Sequence, residues 1–238
     1  MSKQKANNAV SVLKRDSKII MSELDRWVES LGNGKYNPAD FKPLGALALY
    51  PDYSIQQVRS EINGLVDEII SRDLSGTVLE IGLGHYGSTH FLWRLLFERV
   101  VTIEKAPERC RAFACNYSEF YNGVWPTEND HSSFVFGPSS DANVVRKTYN
   151  AVRPQIDMLF IDGDHSYQGI LCDWLLYHNL VRKGGIVAFH DCATDTPEQS
   201  EVPGFLEKLE KGNIDGNKYQ LHRIVHSKHL GIAFYEYI

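Results

Sequence analysis

Residues 77–92 read TVLEIGLGHYGSTHFL, an apolar run that breaks into three closely spaced glycines and restarts as a helix. Val78, Leu79 and Ile81 suit a strand buried in a parallel sheet. Gly82, Gly84 and Gly87 let the backbone turn tightly and approach a ligand with no Cβ in the way. The helix opening near Gly87 points unpaired N–H groups and a partial positive charge at the same spot. The stretch predicts a nucleotide-like cofactor against Gly82 and Gly84, with Tyr86 at one end of it.

Working outward, the chain alternates. The patterns predict strands over 77–82, 100–104, 133–137, 156–161 and 185–190, with helices over 87–98, 107–121, 141–150 and 167–182 between them. The tail breaks the rhythm, because Tyr219 to Val225 and Leu230 to Tyr237 are two β-rich runs with no helix between them, which predicts an antiparallel hairpin. The fold class is α/β: a Rossmann-like, doubly wound, seven-stranded sheet, mostly parallel, ending in that hairpin. Before the glycine strand, Ile19, Ile20, Leu24, Trp27, Val28 and Leu31 recur at helical spacing and Gly32 closes the helix. A second helix begins at Ser54, its expected cap, and carries Ile55, Val58, Ile62, Leu65, Val66, Ile69 and Ile70. Lys35 to Tyr53, with three prolines and four aromatics, is a candidate lid or a cover for the sheet edge. The expected division is an N-terminal helical extension over 1–53 and the catalytic domain over 54–238.

Composition narrows the function. The chain has 238 residues, a formal net charge of −5 and 43% hydrophobic residues, sufficient for one α/β core plus an extension. The acidic balance disfavours nucleic acid as a partner, and no run is long and apolar enough for a membrane span. Cys110, Cys115, Cys172 and Cys192 show neither metal-knot spacing nor the density of a disulfide scaffold. A cytoplasmic enzyme with a small-molecule acceptor is expected, and the apolar face of the first helix leaves room for a homo-oligomer.

Two cofactor classes fit the glycine loop. GxGxxG, with Glu104 at the end of VVTIEK as a ribose acceptor, suits a nicotinamide or flavin dinucleotide. Glu80 favours another class, since it stands two residues before Gly82, where a dinucleotide strand stays apolar. Glutamate followed by spaced glycines resembles the first motif of class I S-adenosylmethionine (SAM)-dependent methyltransferases. That resemblance implies a carboxylate holding the methionine end, and the seven-strand plan supports it over the six parallel strands of dinucleotide enzymes.

The second informative stretch is IDMLFIDGDHSYQGI, residues 156–170. Its strand delivers Asp162, Asp164 and His165 to the carboxyl edge of the sheet, and GGIVAFHD brings His190 and Asp191 to the same edge. Several carboxylates in one place are most cheaply compensated by a divalent cation. Methyl transfer to an alcohol also needs a cation to acidify the hydroxyl and a base to take its proton, for which His165 titrates in the right range. Asp164 reads mainly as a loop or capping residue.

IDGDHSY followed by RKGGIVAFHD is similar to the metal-dependent sugar O-methyltransferase and cephalosporin-hydroxylase-like branch of the class I methyltransferases, over roughly 78–191. The resemblance implies Asp162 and Asp191 as magnesium ligands, His165 as the base and the loop FGPSSDA as the adenine contact through Ser139. Ser140 either shares that contact or caps the next helix. The chain departs from the branch at His190, where macrolide-sugar enzymes carry glutamate, and at Pro138, which replaces an aspartate. His190 is either a third ligand or a group behind the ligands. An imidazole ligand would suit manganese, iron or zinc better than magnesium. The expected function is metal-assisted O-methylation of a small molecule, a sugar or glycosylated natural product. An NAD-dependent oxidoreductase and a non-catalytic cofactor-binding protein of the same fold are the alternatives.

Overall fold

The structure is a computed structural model and describes residues 16–32, 53–54, 57–84, 87–106, 132–152, 154–193, 200–226 and 230–238. The expected helix over 107–121, the loop from Asn122 to 131, Tyr86, and all but the last residue of the candidate lid lie outside these.

Asp16 caps α1 (Ser17–Gly32) by accepting from the Lys18 amide at 2.9 Å. A short antiparallel hairpin, β1 (Tyr53–Ser54) with β2 (Gln57–Val58), leads into α2 (Arg59–Ser71). Ser54 is therefore not the cap of α2. Its backbone pairs with Gln57, and the helix starts at Arg59 behind an extended Val58 with no side-chain cap. The sheet proper is built from β3 (Thr77–Ile81), β4 (Arg99–Glu104), β5 (Ser132–Phe136), β6 (Ile156–Ile161), β7 (Val181–His190), β8 (His222–Ile224) and β9 (Ile232–Glu236). Helices α3 (Ser88–Leu96), α4 (Ala142–Ala151), α5 (Tyr167–Tyr177) and α6 (Val202–Lys211) connect them. The strand order is β5-β4-β3-β6-β7-β9-β8, with β9 antiparallel to both of its neighbours. This is the expected seven-stranded plan.

Two features depart from the sequence reading. The helix expected over 167–182 ends at Tyr177, continues as a 3-10 turn to Leu180, and gives way to β7 at Val181. Ile156 pairs with Val181 but Met158 with Ile186, so Arg182–Gly185 bulge out of register. Gly185 permits the bulge, since a Cβ there would lie 2.6 Å from the Asp157 carbonyl oxygen. Helix α6 was not expected at all. Pro203 and Gly204 look like loop residues, yet proline is well placed in a first helical turn, and Val202, Phe205, Leu206 and Leu209 bury one face.

Both faces of the sheet are covered. Val78, Val100, Met158, Phe160 and Ile186 pack with residues of α1, α2 and α3 in one core, and Leu79, Val101, Leu159, Val187 and Phe189 pack with α4, α5 and α6 in the other. Burial on both faces is what the apolar run Met158–Ile161 requires.

The buried carboxyl of β3 departs from that apolar pattern. Glu80 faces the α1–α3 layer, fully buried, with Oε1 accepting from Trp93 Nε1 at 3.0 Å and Oε2 from the Thr102 hydroxyl at 2.7 Å. Since Thr102 spends its hydrogen on Glu80, His90 Nδ1 donates to the Thr102 oxygen at 2.7 Å, and His90 Nε2 lies 3.1 Å from the Ser132 hydroxyl. This chain of polar groups crosses β3, β4 and β5 beneath α3. Burial pushes the Glu80 carboxyl up to about 8, against the pull of its hydroxyl and indole donors, and the nearby Asp162 charge adds to the rise.

Glu61 of α2 is buried and accepts the amides of His226 at 2.8 Å and Gly231 at 2.9 Å, fixing the β8–β9 connection. Glu61→Ala strands both donors and should lower the unfolding free energy by about 3 kcal/mol, read as a denaturant midpoint. An unchanged midpoint would show that the connection is held by other contacts. For Glu80, the folded state keeps a proton that the unfolded chain loses near its ordinary value of 4.5. Its contribution is therefore full below that value and is lost as pH rises towards about 8. Glu80→Gln should shrink the loss of stability between pH 5 and pH 8 by about 3 kcal/mol, at about 1.4 kcal/mol per unit. Parallel pH profiles for the two proteins would contradict the shift.

Candidate active site

Register brings the site together. Val135, Ile103, Ile81, Ile161 and Phe189 form one row across β5, β4, β3, β6 and β7. The residues that follow them, Phe136, Glu104, Gly82, Asp162 and His190, therefore leave the sheet level with one another at its carboxyl edge.

The glycine loop is pinned from both sides. Gly82 donates to the Ile103 carbonyl and Asp162 to the Ile81 carbonyl, each at 2.9 Å. Gly82 has a φ of +96°, and a Cβ there would lie 2.1 Å from the Asp162 carbonyl oxygen, so no other residue fits. Gly87 adopts the left-handed conformation at φ 66° and starts α3 without a side-chain cap. Glu104 spans the loop, one oxygen accepting from the Leu83 amide at 2.9 Å and the other from Ala106 at 2.8 Å. Each oxygen keeps a lone pair for a ligand hydroxyl. Ser139 lies in the turn after β5, its carbonyl accepting from the Tyr177 hydroxyl at 2.5 Å. Asp141, rather than Ser140, caps α4 through the Asn143 and Val144 amides.

The acidic edge forms as a cluster. Ligand atoms of Asp162, His165 and Asp191 all lie within 4.8 Å of one another. His165 bridges the carboxylates, with Nε2 3.4 Å from Asp162 and Nδ1 3.1 Å from Asp191. His190 lies beside this trio, its Nδ1 3.2 Å from Asp162 and 3.4 Å from Asp191, while its buried Nε2 has no hydrogen-bond partner. Asp191 holds a positive φ of 57°, a conformation aspartate tolerates better than most residues and one found often at functional sites. Burial opposes charge on Asp162, but the His190 and His165 imidazoles outweigh it and hold the carboxyl well below the usual range. Burial likewise opposes a charged His165, and the two aspartates outweigh it and raise its pKa.

Sequence reading missed Gln57, whose amide donates to Asp162 Oδ2 at 3.4 Å from β2. A lone polar residue just ahead of an apolar helix gives no signal until the hairpin is known. It also missed Asp173, on the inward face of α5 between Ile170 and Tyr177; a carboxylate at that helical spacing was the available signal.

Known proteins share this architecture. Residues 79–192 match the family model described as "Methyltransferase domain". The O-methyltransferase from Bacillus cereus in complex with SAH superposes with a TM-score of 0.55 at 19% identity, covering 90% of this chain and 100% of that one. TomG of Streptomyces achromogenes, an O-methyltransferase of tomaymycin synthesis in complex with SAM, gives 0.50 at 21% identity over 90% and 98% of the two chains. A TDP-rhamnose 3'-O-methyltransferase of calicheamicin biosynthesis gives 0.52 at 17% identity over 90% and 92%. An uncharacterized protein of Acanthamoeba polyphaga mimivirus is 56% identical over 36 residues, which span 15% of this chain and only 16% of that protein. Among the described residues no helix is long and apolar enough to cross a membrane. Residues 79–192, just under half of the chain, thus match a methyltransferase domain, and the sheet that contains them has the fold of these O-methyltransferases.

Proposed function

We propose that the chain is a divalent-metal-assisted O-methyltransferase acting on a hydroxyl of a small molecule, a sugar or glycosylated natural product. The observation that carries the reading is the convergence of Asp162, His165 and Asp191 level with Gly82 and Glu104. The carboxylates of Asp162 and Asp191 fit a divalent cation, with His165 left beside them as the base, and the oxygen ligands suit magnesium or manganese. Asp162 and Asp191 would hold it, where it would acidify the acceptor hydroxyl and fix its oxygen. His190, in contact with both aspartates, either joins them or orients them.

The chain's own groups do the rest. Glu104 offers its remaining lone pairs to the ribose hydroxyls, while Gly82 and Gly84 admit the cofactor backbone closely. Glu80 supports the loop from beneath through α3, Tyr86 is assigned to the methionine end, and Ser139 to the adenine. His165 receives the hydroxyl proton as the acceptor oxygen attacks the methyl carbon and the carbon–sulfur bond breaks, leaving a neutral thioether. The two aspartates that raise its pKa also stabilise the imidazolium so formed. The fold of a sugar-nucleotide methyltransferase with a similar sheet supports the acceptor class by analogy only.

Methyl transfer from labelled SAM to a panel of sugar nucleotides and glycosides tests this. His165→Ala should lower the rate by at least about 100-fold, and a chelator should stop the wild-type reaction until magnesium or manganese is returned, with calorimetric SAH binding kept in both cases. Glu104→Ala should weaken SAH binding by about tenfold. Turnover that survives both the chelator and His165→Ala rules out the mechanism, and tight SAH binding with no turnover on any acceptor favours a non-catalytic protein.

A further inference from the structure

We infer that Asp173 reads the base of the cofactor, its carboxylate accepting the hydrogen bond of the adenine amine. The inference rests on SAM lying along the carboxyl edge of the sheet. It starts from an anomaly: Asp173 is 1% exposed, and neither of its carboxylate oxygens has a hydrogen-bond partner among the described residues. Buried carboxylates are otherwise paired or bonded to amides, as Glu61 and Asp157 are here. Burial pushes the Asp173 carboxyl up to about 6, with the neighbouring Ser139 hydroxyl drawing it back part of the way. Both oxygens thus keep lone pairs for a donor.

Its position identifies the donor. The sulfonium must face the acceptor, which places the methionine end near Asp162, His165 and Asp191 at the ends of β6 and β7. Glu104, at the end of β4, suits the ribose. The base then falls on the β5 side of the loop, where Asp173 lies beside Ser139 and feels the charge of Lys105. Gly163 lies against the carboxylate at the edge, where a Cβ would come 3.6 Å from Asp173 Oδ2 and 3.1 Å from Ile81 Cγ2. The loop after β5, Gly137–Ser140, carries no acid of its own, and Asp141 is spent on the α4 amides. Adenine presents one strong exocyclic donor, its amine, and Asp173 is the acceptor left for it. The carboxylate thus comes from a helix face rather than from the loop where Pro138 stands.

Calorimetry on the full chain tests this with SAH and with S-inosylhomocysteine, in which a carbonyl oxygen replaces the amine. The wild type should bind SAH at least tenfold more tightly. Asp173→Asn, which can donate to that carbonyl, should reduce the preference to under threefold while the melting temperature is kept. Asp173→Ser serves the same comparison should the asparagine variant fail to fold. Equal wild-type affinity for the two ligands, or an undiminished preference in a folded Asp173 variant, overturns the inference. Absence of SAH binding by the wild type overturns it by a different route, because the cofactor reading beneath it then fails as well.

Discussion

Gly82, Glu104, Asp162 and His190 each follow by one residue a single row of apolar side chains, and the rest of the site hangs from them. Val135, Ile103, Ile81, Ile161 and Phe189 are locked side by side by the hydrogen bonds of five parallel strands, and all five lie within the same core layer. A slip of one residue between any two of these strands would turn a buried face outward and displace half the site from the other half. The loop after each strand is free to vary, but the level at which it begins is not. This is why Gly82, Glu104, Asp162 and His190, drawn from 109 positions of sequence, arrive together. The tight crossing of Gly82 over the Asp162 carbonyl adds a second lock, since it ties the cofactor loop directly to the first acidic residue of the catalytic edge.

Two carboxylates on adjoining strands meet opposite fates. Glu80 and Asp162 are close enough to feel one another's charge, yet the first is pushed up to about 8 and the second is held low. The difference lies in their partners. Glu80 is offered neutral donors, an indole and hydroxyls, which stabilise its charge too little to offset complete burial. Asp162 faces His165 and His190, whose positive forms more than compensate for the same penalty. A protonated Glu80 suits a support beneath the loop, where a fixed charge would be a burden. Charged Asp162 suits the edge, where a ligand atom or an imidazolium can be held.

How much of this could be read from the chain depends on whether the signal was local. The glycine loop, the seven-stranded plan and the convergence of Asp162, His165 and Asp191 were legible, because glycine spacing, apolar runs and strand-end polar residues are each local features and the edge rule assembles them. The tail was legible for the same reason. Helix α6 was not, because its proline and glycine look like loop residues unless the Val202, Phe205, Leu206 and Leu209 stripe is weighed against them. The start of α2 was misjudged because Ile55 and Val58 fit a helical face as well as a hairpin. The partners of Glu80 were illegible in principle: Trp93, Thr102, His90 and Ser132 come from three other elements, and only the packed sheet makes them neighbours.

The N-terminal layer reaches the site through one such long-range contact. Arg59 of α2 donates to the Met21 carbonyl of α1 at 2.9 Å and pairs with Asp25, while Ile20, Met21 and Leu24 enter the core beneath β3. The hairpin that precedes α2 is therefore fixed at its far end, and Gln57 extends from it to Asp162. Asp162 thus has one oxygen facing the histidines of the acidic edge and the other facing a residue of the N-terminal layer. A shift of that layer would be felt first at the carboxylate assigned to hold the cation, before it reached the glycine loop. The N-terminal layer and the acidic edge thus meet at this one side chain.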